Sequence, residues 1–311
     1  MSKTYSSFIA IVGRPNVGKS SIINKILGQK IAIVSDKAQT TRTRIMGVLT
    51  KNENQFVFVD TPGFHKPRNT LGENMMKAVG NGLCDVDAVM LVVEAATKFS
   101  TDDNEIPAAE IELINEIKRR KLKAFLVINK IDLLKDKEDL FALILKYTSA
   151  FDFESVIPVS AIQGDGIDII LKESTAFLKE SPHYFSEDDV TDQSEKVMVA
   201  EMIREKLLRS LDKEVPHGIA VDIERFFERD TADGEPILEV EATIYCEKDS
   251  HKGIVIGKGG AMLKKIGSLS RRDIEAFFGI KASLKLWVKV KEDWRNRQGL
   301  IHTFGLDRFI L

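Results

Sequence analysis

The segment GRPNVGKS, residues 13–20, constrains the fold more than any other part of the sequence. It fits the spacing G-x-x-x-x-G-K-[ST], in which a strand turns into a helix around a bound phosphate. The apolar run FIAIVG leads into it and the helix-periodic run KSSIINKILG follows, which is the context that the motif requires. Glycines let backbone N–H groups turn toward an anion, and the helix N-terminus adds partial positive charge. We therefore predict a phosphate site here.

Two side chains of this loop carry specific roles in phosphate chemistry. The Lys19 amine can reach the β- and γ-phosphates of a nucleotide, and the Ser20 hydroxyl can ligate Mg²⁺. In a chain of this length a chance match occurs on the order of once in a hundred. The predicted phosphate-binding residues are Gly13, Arg14, Pro15, Asn16, Val17, Gly18, Lys19 and Ser20.

Composition limits the class of protein. The 311 residues suffice for two domains, and 43% apolar with 30% charged residues is typical of a soluble globular protein. A net charge of −2 means that any nucleic-acid surface must come from local charge. The two cysteines, Cys84 and Cys246, are too few for a disulfide framework, and we expect reduced core thiols. Apolar runs are too short for a signal peptide or a membrane span, so we expect a cytoplasmic protein, with peripheral membrane contact left open.

The first 180 residues alternate between short apolar runs and helix-period segments. The runs FIAIVG, QFVFVD, DAVMLVVE, KAFLVIN and SVIPVS predict strands, and helices are expected at 104–120, 138–149 and 167–180. This alternation predicts an α/β domain whose mostly parallel sheet is covered by helices on both faces. IMGVLT and QFVFVD flank the polar KNEN, which predicts a hairpin with one antiparallel edge strand.

The pattern changes after residue 180. Residues 181–196 are polar and acidic, which indicates a linker. A helix follows, with Met198, Met202, Ile203, Leu207, Leu208 and Leu211 on one face. Two alternating strands, a helix–glycine turn–helix and a third strand complete a small α+β domain. We predict domains at 1–180 and 197–311, joined by the linker 181–196.

Three further motifs follow the phosphate loop in order. DTPG places Asp60 at a strand end for the Mg²⁺ shell, and Gly63 can offer its N–H to the γ-phosphate. NKID supplies the Asp132 carboxylate, which can accept from the ring N–H and the exocyclic amine of guanine together. The VSA backbone at Ser160 and Ala161 can meet the guanine O6. Residues 8–178 therefore resemble a GTPase of the translation-factor-related class, and the added candidate GTP contacts are Asp60, Thr61, Pro62, Gly63, Phe64, Asn129, Lys130, Ile131, Asp132, Ser160 and Ala161.

The resemblance also places a switch loop in SDKAQTTRTRI, residues 35–45. One threonine should reach Mg²⁺, and the T-T-R pattern of relatives favours Thr41 over Thr40. The alternative is that this segment is a Thr-rich solvated loop without a role in metal binding. The implied metal ligands are then Ser20, Thr41 and Asp60.

Position 64 bears on hydrolysis. Many GTPases place glutamine after the D-x-x-G glycine to orient water, whereas Phe64 has no donor or acceptor. Slow intrinsic turnover is expected, and we hypothesise that Asn16 helps by binding K⁺, as in relatives that share this asparagine. The alternative is that Asn16 only stabilises the loop. The predicted catalytic residues are Lys19, Thr41, Gly63 and Asn16.

The segment around GKGG, residues 257–260, suggests a second binding site. Residues 248–273 carry five Lys, two Arg and two Asp, a net charge of +5, within an acidic chain. The order of helices and strands resembles a KH domain, which implies that an apolar groove holds single-stranded RNA. Ile254, Ile256 and Ile266 are candidates for that groove or for plain core. The candidate RNA contacts are Lys252, Gly257, Lys258, Gly259, Gly260, Lys264, Lys265, Arg271 and Arg272.

The combination of both domains, with GFHKP and KVKEDWRN, resembles the Era-type family of bacterial GTPases nearly end to end. That resemblance implies GTP/GDP and Mg²⁺ as ligands, the 3′ end of 16S rRNA and the 30S subunit as partners, a monomer, and peripheral association with the cytoplasmic face of the cell membrane. Two rivals are an RNA-binding chaperone that uses nucleotide as a structural ligand, and a tRNA-modification GTPase. The second rival usually carries a modifying module and no KH domain.

Phe64→Ala tests the prediction that the side chain at position 64 does not orient the attacking water. Because the ring cannot hold water by hydrogen bonding, we expect nearly unchanged GTP affinity and a smaller change in turnover than Thr41→Ala causes. Nucleotide titration and single-turnover GTP hydrolysis measure the two quantities. A collapse of turnover from Phe64→Ala alone would show that the ring has a catalytic role.

Overall fold

The computed structural model describes residues 3–37, 39–95, 105–212 and 215–307. Its contacts divide the chain into two compact units. The first contains residues 1–32, 41–67 and 75–192, and the second contains 33–40, 68–74 and 193–311. The main division, between 192 and 193, falls inside the predicted linker.

The first unit is built on one seven-stranded sheet. Its strands lie in the order β2-β3-β1-β4-β5-β6, and β2 is the antiparallel edge strand that the hairpin pattern predicted. β7 pairs antiparallel with the start of β1 and was not predicted. The strands are β1 (Tyr5–Val12), β2 (Ile45–Lys51), β3 (Asn54–Asp60), β4 (Ala88–Glu94), β5 (Ala124–Asn129), β6 (Val156–Pro158) and β7 (Lys179–Glu180).

Five helices accompany these strands: α1 (Lys19–Leu27), α2 (Thr70–Gly82), α3 (Ala108–Arg120), α4 (Lys137–Ala150) and α5 (Ile167–Ser174). One sheet face packs on α2, α3 and α4 through a core that includes Leu91, Ile117 and Leu143. On the other face, Phe125 stacks on Phe177, which follows α5, with ring centroids 5.7 Å apart. The predicted α/β layering, with helices on both faces, is confirmed.

Several sequence-based element predictions were wrong in detail. Helix α2 was missed, because its apolar residues are interrupted by three glycines that lower helix propensity. The helix expected at 167–180 ends at Ser174, and a short 3₁₀ turn and β7 follow it. Residues 96–104 lie outside the described residues, and within the rest of the predicted 104–120 helix residues 105–107 are not helical, so the helix begins at Ala108, after Pro107.

The acidic segment 181–192 is hydrogen-bonded along the first unit. Val48 N–H donates to the Val190 carbonyl at 2.9 Å, and Ser181 N–H donates to the Thr4 carbonyl at 3.1 Å. The Gln55 side chain bonds to Tyr184 and Phe185. The sequence predicted a linker here. In the structure, several backbone groups of this segment are hydrogen-bonded to residues of the first unit.

The second unit has the order helix–strand–strand–helix–helix–strand that the pattern predicted. β9 is central, antiparallel to β8 and parallel to β10. The hydrophobic core of the second unit includes Ile203, Val240 and Ile266. The elements are α6 (Glu195–Ser210), β8 (Ile219–Asp230), β9 (Pro236–Cys246), α7 (Asp249–Ile256), α8 (Ala261–Phe278), β10 (Lys281–Val290) and α9 (Gln298–Thr303).

Two further expectations concern the cysteines and membrane spans. Both cysteines are free thiols; Cys246 is buried as expected, but Cys84 is exposed, so its prediction as a core thiol was wrong. Among the described residues, no helix combines the length and apolar character that a membrane crossing needs.

Candidate functional site

The phosphate loop lies where β1 ends and α1 begins, at the carboxyl edge of the sheet. Lys19 is buried, and its Nζ donates to the carbonyl oxygens of Gly13 and Arg14, each at 3.1 Å. Burial lowers the pKa of Lys19 to about 8, against the opposing pull of the Asp60 carboxylate. The loop therefore holds its ammonium in place before any phosphate arrives.

The three predicted metal ligands come together beside this lysine. Ser20 Oγ lies 2.9 Å from Asp60 Oδ2 and 3.0 Å from Thr41 Oγ1. Burial raises the pKa of Asp60 to about 6, and the nearby charge of Lys19 and hydrogen bonds from Ser20 and Thr41 partly offset that rise.

Asp60 has one oxygen left over. Its Oδ1 is buried and has no hydrogen-bond partner among the described residues. Two hydroxyls and one carboxylate, of which one oxygen is unpaired, form an incomplete set of hard oxygen ligands of the kind that Mg²⁺ completes with phosphates and water. No cluster of three or more His, Cys, Asp or Glu side chains in the described ranges offers a rival metal site. The residues present fit Mg²⁺.

Asn129 connects the phosphate loop to two other loops. Its Nδ2 donates to the Val17 carbonyl at 2.8 Å, and its Oδ1 accepts the Ala161 N–H at 3.0 Å. At Gly18 a Cβ would lie 2.1 Å from Asn129 Nδ2, so this position needs glycine for close approach. NKID, VSA and the phosphate loop thus form one connected site, as the sequence predicted.

The carboxylate expected to read guanine lies at the open side of this site. Asp132 is exposed, and its Oδ1 accepts from Ser160 Oγ at 2.6 Å. Ser160 N–H donates to the Asp165 carbonyl, and Ala161 N–H is held by Asn129. Both backbone donors that the sequence analysis expected to meet the guanine O6 therefore already have partners in this structure.

Phe64 and Asn16 occupy the two positions predicted to govern hydrolysis. Phe64 packs against the core of the first unit, and its N–H donates to the Gly13 carbonyl at 3.0 Å. Its ring thus serves packing, in keeping with its lack of water-binding groups. Asn16 has a left-handed backbone with φ of 66°, which places it at a tight turn of the loop.

The GKGG turn joins α7 to α8 in the second unit. Gly257, Gly259 and Gly260 have φ values of 72°, 57° and 79°, which glycine adopts without strain. A Cβ at Gly259 or Gly260 would meet nothing within 4 Å, so the turn is open to an approaching backbone. Lys258 between them is exposed.

A groove of about 390 Å³ runs beside this turn, between α8 and β10. The α8 side presents small and cationic residues at helical spacing, and β10 adds two alternate leucines. Leu263, Leu284 and Leu286 make the groove apolar, while Lys264 and Arg271 supply charge. The lining residues are Gly260, Leu263, Lys264, Gly267, Ser268, Arg271, Leu284 and Leu286.

The groove lining contains three of the nine predicted RNA contacts, Gly260, Lys264 and Arg271. The other six lie outside that lining: Gly257, Lys258 and Gly259 of the turn, and Lys252, Lys265 and Arg272. Of the two alternatives for Ile266, the structure shows plain core, because its side chain is fully buried there. Ile254 and Ile256 also lie outside the lining.

The sequence reasoning missed Leu263, Gly267, Ser268, Leu284 and Leu286. A signal was present: positions 260, 263, 264, 267, 268 and 271 follow the i, i+3, i+4, i+7 spacing of one helix face. Gly and Ser on that face leave room for a ligand, and leucines two apart on a strand share a side.

Two family matches divide the chain as the structure does. Residues 8–130 match a family described as 50S ribosome-binding GTPase. Residues 214–295 match the KH domain family. The first contains the phosphate loop, DTPG and the first two residues of NKID; the second contains GKGG and the groove.

Curated relatives extend the likeness to nearly the whole chain. GTPase Era of Ruminiclostridium cellulolyticum is 50% identical over 300 residues, covering 96% of this chain and 97% of its own. GTPase Era of Clostridioides difficile (strain 630) is 47% identical over 300 residues, which cover 96% of this chain and 98% of the relative. A crystal structure of Era in complex with MgGDPNP and nucleotides 1506–1542 of 16S ribosomal RNA matches with a TM-score of 0.90 and 33% identity. The match covers 97% of this chain and 99% of the chain in that structure.

Asp132→Asn tests the guanine contact. The amide cannot accept from both guanine donors, and each hydrogen bond to a charged group contributes about 1.5–3 kcal/mol, so we expect GTP affinity to fall roughly 100-fold. Affinity for xanthosine triphosphate should rise, because the amide N–H can donate to the xanthine O2. Titration with both nucleotides measures this, with the exposed Asp136→Asn as control. Unchanged GTP preference would contradict the role of Asp132.

Proposed function

The chain belongs to the Era family of GTPases, and we propose that it is a slow GTP-hydrolysing switch whose KH domain binds 16S rRNA near its 3′ end during assembly of the 30S subunit. The observation that carries the proposal is that one chain has both a connected GTP site, joined through Asn129, and an apolar groove with cationic residues beside an open GKGG turn. The Era crystal structure holds MgGDPNP and 16S rRNA together, which supports both halves.

The roles within the GTP site follow from its geometry. Lys19 and backbone N–H groups of the phosphate loop hold the phosphates, and Asp132 selects guanine. Ser20, Thr41 and Asp60 would hold Mg²⁺, which neutralises charge on the β- and γ-phosphates when bound. Gly63 N–H is directed to the γ-phosphate in this proposal.

Hydrolysis breaks the bond between the γ-phosphorus and the β,γ-bridging oxygen as water adds to phosphorus, which gives GDP and phosphate. The Phe64 side chain has no donor or acceptor that could orient that water, and its ring packs against the core of the first unit. Turnover should therefore be slow until a further group helps.

The switch depends on a segment that groups with the second unit, Ile33–Thr40. The buried Arg204 guanidinium of α6 donates to the carbonyl oxygens of Thr40 and Gln39. Arg209 of the same helix donates to the Val34 carbonyl at 2.9 Å. Thr41 is the next residue in the chain, so a GTP-dependent movement of Thr41 passes through one peptide bond to a segment held by α6.

In the second unit, single-stranded RNA would place its backbone on the GKGG turn and its bases on Leu263, Leu284 and Leu286. Lys258, Lys264 and Arg271 would meet phosphates, which makes binding salt-dependent. A monomer in the cytoplasm, with peripheral contact at the membrane, remains part of the proposal and rests on the family resemblance alone.

A second candidate function is an RNA-binding chaperone that uses nucleotide as a structural ligand. Phe64 favours it, because the site lacks a water-orienting side chain at that position. GTP turnover stimulated by 16S rRNA or 30S particles would support the switch. Turnover that stays absent under every condition would support the chaperone.

Potassium dependence tests the role of Asn16. If Asn16 helps to bind K⁺ as a charge-neutralising element, GTP turnover should be faster in K⁺ than in Na⁺ buffer of equal ionic strength. Asn16→Ala should remove the difference between the two salts. Equal rates of the unaltered protein in both salts would eliminate the potassium role.

Replacing Lys258 and Gly259 together by aspartate tests the RNA surface. Two carboxylates at the turn repel phosphate and close the open approach, so we expect RNA affinity to fall roughly 100-fold, with GTP affinity unchanged. Filter binding with a 16S rRNA 3′-end fragment measures the effect, and the exposed Lys291→Asp is the charge control. RNA affinity that survived the double change would exclude the groove as the RNA site.

A further inference from the structure

Arg14, the second residue of the phosphate loop, is bound at its side chain to a buried carboxyl. Its Nε donates to Glu110 Oε1 at 2.5 Å. Glu110 lies in the first turn of α3 and is fully buried. The hydroxyl of Tyr147, on α4, donates to the other oxygen, Glu110 Oε2. Three elements of the first unit therefore meet at one carboxyl group.

This cluster is not an ordinary surface ion pair. Tyr147 is 1% exposed and belongs to the core that α3 and α4 share with the sheet. Burial and the neighbouring Glu110 carboxyl raise the pKa of Tyr147 well above its usual range, so its proton is available for donation. A carboxyl in a first helical turn is also stabilised by the helix N-terminus. Exposed ion pairs contribute little, but losing one partner of a buried pair costs more.

The backbone of Arg14 joins the cluster to the phosphate site. Lys19 Nζ donates to the Arg14 carbonyl at 3.1 Å. A guanidinium fixed at its far end limits the movement of its own backbone, so the position of this carbonyl depends on the contact with Glu110. The Arg14 guanidinium, in turn, is paired with the Glu110 carboxylate and not with a phosphate.

We propose that Glu110 and Tyr147 are positioning residues for nucleotide binding, which act through Arg14 to hold the Lys19 ammonium where the β- and γ-phosphates bind. They touch no substrate. Because Lys19 serves the β-phosphate as well as the γ-phosphate, the effect includes both GTP and GDP. The inference rests on the nucleotide site described above and assigns it two residues more than 90 positions away in the sequence from the loop that they fix.

Glu110→Gln is the first test. The neutral amide keeps the size of the side chain but replaces the charge-assisted bond to the guanidinium by a weaker neutral one, so we expect GTP and GDP affinity each to fall about tenfold. Tyr147→Phe removes only the hydroxyl and should lower both by about threefold. Glu112→Gln, at an exposed position of the same helix, is the matched control and should change neither. Fluorescent-nucleotide titration measures affinity, and thermal unfolding is followed separately.

A double-substitution cycle separates positioning from general packing. If Glu110 acts through Arg14, then Arg14→Gln with Glu110→Gln should bind GTP no more weakly than Arg14→Gln alone. Additive losses would overturn the proposal. So would a Glu110→Gln variant that melts at a lower temperature yet keeps unaltered GTP and GDP affinity at 25 °C, because Glu110 would then serve packing only. Failure of the unsubstituted protein to bind GTP would instead reject the function proposed above.

Discussion

The GTP site depends on the two hydrogen bonds of one buried amide, Asn129. By bonding to Val17 on one side and Ala161 on the other, it fixes the distance between the loop that holds phosphate and the loops that read the base. A site whose two halves are already held at the right spacing loses less conformational freedom when a nucleotide binds, which favours affinity. The contact with Gly18 sets the same spacing sterically.

Next to this frame, Lys19 and Asp60 form a site with incompletely satisfied charges. Burial works against both charges, lowering the pKa of Lys19 to about 8 and raising that of Asp60 to about 6. Phosphate and a divalent cation are the ligands that would favour both charged forms together. The charges of Lys19 and Asp60 are therefore of the kind that phosphate and a divalent cation stabilise, and in our proposal the Glu110 cluster holds the Lys19 ammonium in position.

The sequence predicted features that have a local signature. GRPNVGKS, DTPG and NKID are short motifs with fixed strand contexts, and the hairpin and the order of the KH domain follow from alternation of apolar residues. What it missed depends on long-range contacts. In the sequence, Glu110 is indistinguishable from the other acidic residues of a charged helix. Likewise, the helical spacing of Ile266 does not distinguish a core residue from a groove residue. Helix α2 and strand β7 lack a strong local propensity and form only against partners that are distant in sequence.

Strand β7 and the segment after it complete the first unit from the far end of its sequence. The Thr4 hydroxyl and the Ser181 carbonyl that it contacts are separated by 177 positions. A chain synthesised from its N-terminus makes β1 first, yet the partner of Tyr5 and Ser6 in β7 is produced last. The start of the central strand thus stays unpaired on that side until nearly the whole unit has left the ribosome, which makes its folding late in translation and dependent on the order of emergence.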